Sequence, residues 1–300
     1  MIRIVCAVLA GLAVLLAPAG VRAEAAYPFL SYLEDEGSAL VVFNPSGFDP
    51  RMPPAGTPYP AEPLRADLAA LRPGYRAILL GIWDPTSEGE IAAAADLVRR
   101  WRDRLALAVA IGNEGINDNR YQIDDLARAR DRLLALIGRG RALAITTSEP
   151  AGDYGWPPIR AFGDFLAPNI HPAIDHQSLP PDAAVAWVRG RAEAIAHLAG
   201  KPVLVKETGL PNGGGEPQSP DRQRAFWAEW LARGRLVRLT TPAANGSLPV
   251  FASYAAAFEA FDAPWKGAQV GDPIEAHWGI LTVDRTPYPA FLAWVAAARH

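Results

Sequence analysis

At 300 residues, with 29 basic and 32 acidic side chains, the chain can form one large domain or a full α/β barrel. Its mildly acidic balance argues against nucleic acid or an anionic membrane surface as a partner. Its single cysteine, Cys6, lies in the amino-terminal apolar stretch, so an oxidising compartment brings the rest of the chain neither benefit nor hazard.

That amino-terminal stretch reads as an export signal. Met1-Ile2-Arg3 is a short basic start, residues 4–16 are apolar, Pro18 and Gly20 break the run, and Val21-Arg22-Ala23 is a small-x-small cleavage site. The apolar run is shorter than the ~20 residues a bilayer span requires, and no stop-transfer flank follows it. Residues 1–23 are therefore expected to lie outside the fold. Residues 24–300 are expected to form one secreted or periplasmic domain, monomeric and free of the membrane after cleavage.

Apolar runs at 39–43, 75–83, 105–111, 142–147, 165–170, 202–206 and 250–254 read as strands, and amphipathic helices lie between them. Val185, Val188, Ala192, Ile195 and Ala199 step by three and four residues, with Pro181 near the start of the helix and Gly200 at its end. Ser219-Pro220-Asp221 is a capped helix start that Gly234 closes, and a last helix covers about 289–299. This alternation predicts an α/β fold with a parallel sheet, specifically a TIM-type (β/α)8 barrel. Only seven strands can be counted where eight are needed. The Pro/Gly-rich segment 44–63 follows the first strand and is expected on the catalytic face.

Two strands end on a glutamate that runs into a glycine. One is Ala110-Ile111-Gly112-Asn113-Glu114-Gly115; the other, 93 residues later, is Val203-Leu204-Val205-Lys206-Glu207-Thr208-Gly209. The carboxyl ends of the strands form the active-site floor of a parallel barrel. Two carboxyl groups on one floor suit glycosidic bond cleavage, one to donate a proton and one to attack the anomeric carbon. Taken singly, each glutamate could equally end its strand in an ion pair.

Four ordered blocks resemble glycoside hydrolase family 17, the β-1,3-glucanases and related glucanosyltransferases. They are Gly112-Asn113-Glu114, Asn169-Ile170-His171-Pro172, the stretch from Lys201 through Glu207 to Pro211, and the late pair Phe261-Asp262-Ala263-Pro264-Trp265-Lys266 and Glu275-Ala276-His277-Trp278-Gly279. The resemblance spans roughly residues 39–291. It implies a (β/α)8 barrel that cleaves β-1,3-linked glucan with retention and without cofactor, Glu114 serving as general acid/base and Glu207 as nucleophile. Asn113 resembles the asparagine that holds the sugar 2-hydroxyl. Lys266 and Glu275 resemble residues around the bound sugar, with a plain salt bridge as the alternative.

Other candidates follow from position. Glu149 ends the strand after Glu114's and could accept sugar hydroxyls or cap a helix. His171 follows a strand end and could bond a hydroxyl. His171, His176 and His277 lack metal-ligand spacing, so no metal is expected. Trp83, Trp156, Trp265 and Trp278 lie at strand ends or in loops where a ring face can stack on a pyranose, Trp83 and Trp278 foremost. Trp101, Trp187, Trp227, Trp230 and Trp294 lie in helices and read as core.

The chain departs from the family at Ala263, where many members carry glutamate, and at Ala173 and Leu210, which replace aromatics. A whole strand-helix unit is missing between the helix 64–71 and the strand 75–83. The barrel must therefore close short, leave a gap, or recruit another segment such as 27–33. The missing unit and Ala263 motivate the alternative function, a non-catalytic carbohydrate-binding protein assisting cell-surface glucan assembly or export. Within the enzymatic reading, the sequence leaves open whether water or a sugar accepts the glycosyl group.

Overall fold

A computed structural model of the chain describes residues 4–8, 27–34, 39–49, 60–71, 77–140, 142–176, 179–234, 237–238, 244, 251–252 and 254–297. In chain order the amino-terminal part holds β1 (Ile4–Val8), α1 (Pro28–Leu33), β2 (Ala39–Phe43), α2 (Ala61–Ala70), β3 (Ala77–Ile82), α3 (Glu88–Trp101), β4 (Ala106–Asn113) and α4 (Ile123–Ile137). Next come β5 (Ala144–Ser148), α5 (Pro157–Phe162), α6 (Pro172–Asp175), α7 (Pro181–Ala199), β6 (Leu204–Thr208) and α8 (Pro220–Ala232). The last third adds β7 (Val237–Arg238), β8 (Phe251–Ala252), β9 (Tyr254–Ala257), α9 (Pro264–Val270) and α10 (Pro289–Ala297).

The outer helices follow local chemistry. Ser87 Oγ accepts the Glu90 N–H at the start of α3, acidic residues fill its first turn, and Arg99 and Arg100 complement the dipole at its end. Ile91, Ala94, Ala95 and Val98 then form its buried stripe. Gln122 and Asp125 make a reciprocal capping box on α4, which buries Leu126, Ala129, Leu133 and Ile137. β4 is buried along nearly its whole length, as a parallel strand covered on both faces should be.

One sheet takes the order β5-β4-β3-β1-β2-β9-β6, and β7 and β8 form a separate pair. The β3–β4, β4–β5, β2–β9 and β6–β9 ladders are parallel. The run 165–170, expected as a strand, is not one. Pro168 has no N–H to donate, and the segment makes isolated bridges instead: Leu166 to Val203, Asn169 to Glu207, and Pro150 to Asn169. Through these bridges and the bonds Leu204 N–H to Leu166 O and Asn169 N–H to Glu149 O, it links the two outer strands β6 and β5. The run 250–254 is likewise divided between β8 and β9.

Among the described residues no strand follows α2 before β3, and in the sheet another strand separates β2 from β3. β1 lies there antiparallel to both neighbours, with Ile4 opposite Phe43 on one side and Leu80 on the other. These residues belong to the stretch read as an export signal, so cleavage after Ala23 would remove the strand and leave two edges facing each other. The other candidate, 27–33, folds as helix α1 instead. It packs Phe29 against Phe165 at 5.7 Å between ring centroids, and Tyr27 Oη donates to Asp164 Oδ1 at 3.0 Å.

Trp227, Trp230 and Trp294 are buried as expected of core tryptophans, but Trp101 is 42% exposed beside Arg104. Residues 50–59 of the 44–63 segment lie outside the described residues. Its start is anchored by Asp67, which accepts from Ser46 N–H and Oγ, and Phe48 packs edge-on against Trp265.

Candidate active site

The ends of β4 and β6 each carry two consecutive polar residues toward one place, which a regular strand cannot do because side chains alternate between faces. A register shift in each ladder resolves this, between Ala110 and Asn113 on β4 and between Val205 and Thr208 on β6. Glu114 lies just past its strand at φ +55°, after Gly112 at φ +80°. Its N–H donates to Ser148 O on β5 at 2.8 Å.

These ends open on a cavity of about 550 Å³ whose wall includes Asn113, Glu114, His171 and Glu207. Lys206 Nζ donates to Glu207 Oε1 at 2.5 Å and to Asn113 Oδ1. His171 Nε2 lies 3.4 Å from Glu207 Oε2, and its ring meets Phe258 and Trp278 edge-on. Asn169 Nδ2 donates to Glu114 Oε1 at 2.8 Å and reaches Asn113 Oδ1 at 3.3 Å, while its own Oδ1 accepts from Ser148 Oγ. A continuous polar chain thus joins the two glutamates through Asn169, Asn113 and Lys206.

The far wall holds Lys266 and Glu275. Lys266 Nζ bonds Glu259 Oε1 at 2.5 Å, and Asn44 Nδ2 donates to the other carboxylate oxygen of Glu259 at 3.1 Å. A carboxylate does reach this lysine, then, although position 263 carries alanine. Burial pushes the Glu275 carboxyl up; the nearby Lys266 and His171 oppose this, and Glu259 adds to it.

Of the residues singled out by sequence, Trp83, Asn113, Glu114, His171, Glu207, Lys266, Glu275 and Trp278 line the cavity, as does Trp265. Glu149 does not. It is fully buried behind the strand ends, where Tyr121 Oη donates to its Oε1 at 3.2 Å. Ser148 turns toward Asn169 and the site, so the next residue along the strand turns away. Trp278 is also fully buried, wedged against His171 and Phe258, and offers no free face for stacking. Trp83 is partly exposed, with the Arg120 guanidinium 4.2 Å from its ring centroid. Trp156 is exposed away from the cavity wall.

Sequence reasoning missed Asn169 and Glu259 as site residues. The block Asn169-Ile170-His171-Pro172 was visible, but a bond to a residue 55 positions away was not. Glu259 sits just past β9, the same kind of strand-end position that drew attention to Glu114 and Glu207. Among the described residues no group of three His, Cys, Asp or Glu side chains could hold a metal ion, and no helix is long and apolar enough to cross a membrane.

Comparison with solved structures gives a fold-level likeness to a GH2 β-galacturonidase from Eisenbergiella tayi bound to galacturonate. It has 16% identity, covers 80% of this chain and 48% of that one, and has a TM-score of 0.51. An endo-laminarinase from Formosa Hel1_33_131 aligns at 21% identity over 66% of this chain and 60% of its own, with a TM-score of 0.49. CJP38, a β-1,3-glucanase and allergen of Cryptomeria japonica pollen, aligns at 14% identity over 71% of this chain and 82% of its own, also at 0.49. The chain therefore spans about half of the galacturonidase and 60% of the laminarinase. No match is found among curated protein sequences. The BtgE/BtgC glycoside hydrolase domain model matches residues 66–279, a span that holds both glutamates and the residues lining the cavity, and the chain belongs to that family.

Proposed function

We propose that the protein is a retaining glycosidase acting on β-1,3-linked glucan, its strand ring completed by the 165–170 segment into a (β/α) barrel. The observation that carries this reading is the delivery of Glu114 and Glu207 to one cavity by two shifted strand ends, with a hydrogen-bonded chain between them. Glu207, beside an ammonium and an imidazole, is the nucleophile. Glu114 protonates the glycosidic oxygen as Glu207 attacks the anomeric carbon. The leaving sugar departs and a covalent glycosyl-enzyme remains. Glu114 then takes a proton from water, or from a sugar hydroxyl, as that oxygen displaces Glu207. Asn113 Oδ1 is held by Lys206 and Asn169, which leaves its Nδ2 to donate to the sugar 2-hydroxyl. The β-1,3 linkage rests on the sequence blocks around these residues, and export on the amino-terminal signal.

The test is incubation with laminarin-type oligosaccharides, following chain length and, by NMR, the first anomer released. Shorter products mark hydrolysis and longer ones transfer, and a β anomer released first marks retention. An α anomer would overturn the double displacement. Binding without any new chain length would favour the non-catalytic alternative.

A further inference from the structure

Glu114 holds a left-handed backbone conformation, which a non-glycine residue keeps only where its surroundings over-determine it. Tyr121 packs against this turn. Its ring packs so closely on the two glycines flanking the Asn113-Glu114 pair that a Cβ at Gly112 would lie 2.2 Å from Oη, and one at Gly115 1.9 Å from Cε1. Tyr121 Oη accepts the Gly115 N–H at 3.0 Å and donates to Glu149 Oε1 at 3.2 Å. Glu149 also ties the turn to the other partner of Glu114, since its backbone carbonyl accepts the Asn169 N–H at 3.0 Å.

Resting on the functional reading above, we infer that Tyr121 and Glu149 are positioning residues: a buried brace that fixes the turn at Glu114 and so aims its carboxyl. Neither lines the cavity. The charged and titratable groups around the brace are few. Asp153 and Tyr154 face Glu149 from the 3₁₀ turn Ala151–Gly155, and Arg120 lies 5.5 Å from the Tyr121 ring centroid. Burial pushes Glu149 up to about 7, against the pull of the Tyr121 hydroxyl and the N–H groups of Ile116 and Asn117. Near neutral pH a large share of it carries a proton and bonds without full charge.

A brace acting through an acid should matter most where acid help is needed. Tyr121→Phe and Glu149→Ala should lower kcat on laminari-oligosaccharides by about tenfold or more, because small displacements of a reacting group are costly. KM should stay within about threefold. The pre-steady-state burst on a dinitrophenyl glycoside of the same sugar, whose departure needs little acid, should also stay within about threefold. Glu149→Gln keeps an acceptor for Tyr121 and should restore most of the kcat that Glu149→Ala loses. Equal losses on both substrates, no loss at all, or failure of Glu149→Gln to rescue would overturn the proposal. A wild type that cleaves no glucan would sink the functional reading instead. Crystal structures of wild type and Tyr121→Phe then decide the brace: loss of the left-handed turn at Glu114 supports it, and an unchanged turn with its Asn169 bond overturns it.

Discussion

Glu207 is 4% exposed at the end of β6, set between the Lys206 ammonium and the His171 imidazole. Glu114, just past the end of β4, is partly exposed, and its carboxylate receives a bond from the neutral amide of Asn169. The two strand ends look alike in sequence, yet one carboxyl is held by charge and the other by backbone shape. The Lys206 ammonium beside Glu207 suits the nucleophile proposed there. The neutral amide of Asn169 suits the acid/base proposed at Glu114.

Removing each carboxyl is the largest way to break this contrast. Glu207→Ala should lose roughly 10⁴-fold or more on polysaccharide and on an activated aryl glycoside alike, since the attacking atom is gone. Glu114→Ala should lose on the order of 10²–10⁴-fold on polysaccharide but keep glycosylation from the aryl glycoside. Its glycosyl-enzyme should accumulate, and azide should release it as the β-glycosyl azide. An azide product of Glu207→Ala should be α. Equal losses on both substrates with no rescue by azide would show the two roles to be misassigned.

Lys206 tests the charged half of the comparison. It is 5% exposed and bonded to both Glu207 and Asn113. Lys206→Met leaves a buried carboxylate without its cation, which should destabilise by about 3–5 kcal/mol. A variant with wild-type stability would show that the Lys206–Glu207 pair does not hold this strand end.

How much of this was legible in the chain depends on distance along it. The stripe of α7, the cap at Ser219 and the glutamate-glycine strand ends are written in neighbouring residues, so they could be read. Whether a strand-end residue faces the cavity or the layer behind depends on register. Ser148 bonds Asn169 at the site and Glu149, next to it, is buried behind. The shifts on β4 and β6 that bring Asn113 with Glu114, and Lys206 with Glu207, arise from pairing with other strands and leave no local mark. The missing strand-helix unit was visible as a length defect. Its occupant was not, since an antiparallel strand from residues 4–8 follows no βαβ pattern.

Glu149 offers a thermodynamic probe of the shape-held half. Its folded pKa of about 7 lies above the ordinary value of 4.5, so the fold favours the protonated form. The associated stability is fully present below pH 4.5 and is lost as pH rises through about 7. The full loss is about 3 kcal/mol at most. Glu149→Gln mimics the protonated state. It should match wild type near pH 4 and be the more stable protein at pH 8, a difference readable from denaturant midpoints. Parallel stability curves for the two proteins across that range would contradict the assignment.

The smallest expected effect lies at the open edge of Glu114's side of the cavity. Trp83 contributes to the wall there, and the Arg120 guanidinium covers its ring at 4.2 Å while also donating to the Asn113 carbonyl. A stacking contact of the Trp83 ring with a sugar would be worth about 0.5–1.5 kcal/mol. Trp83→Ala should therefore raise KM for longer oligosaccharides by about two- to tenfold and leave kcat nearly unchanged, since stacking away from the reacting bond serves substrate and transition state alike. Arg120→Met should weaken the ring's support by no more than about 1 kcal/mol. A fall in kcat with unchanged KM in Trp83→Ala would place the tryptophan against the reacting sugar. The boundary between binding wall and acid-carrying turn would then have to be drawn on the other side of Trp83.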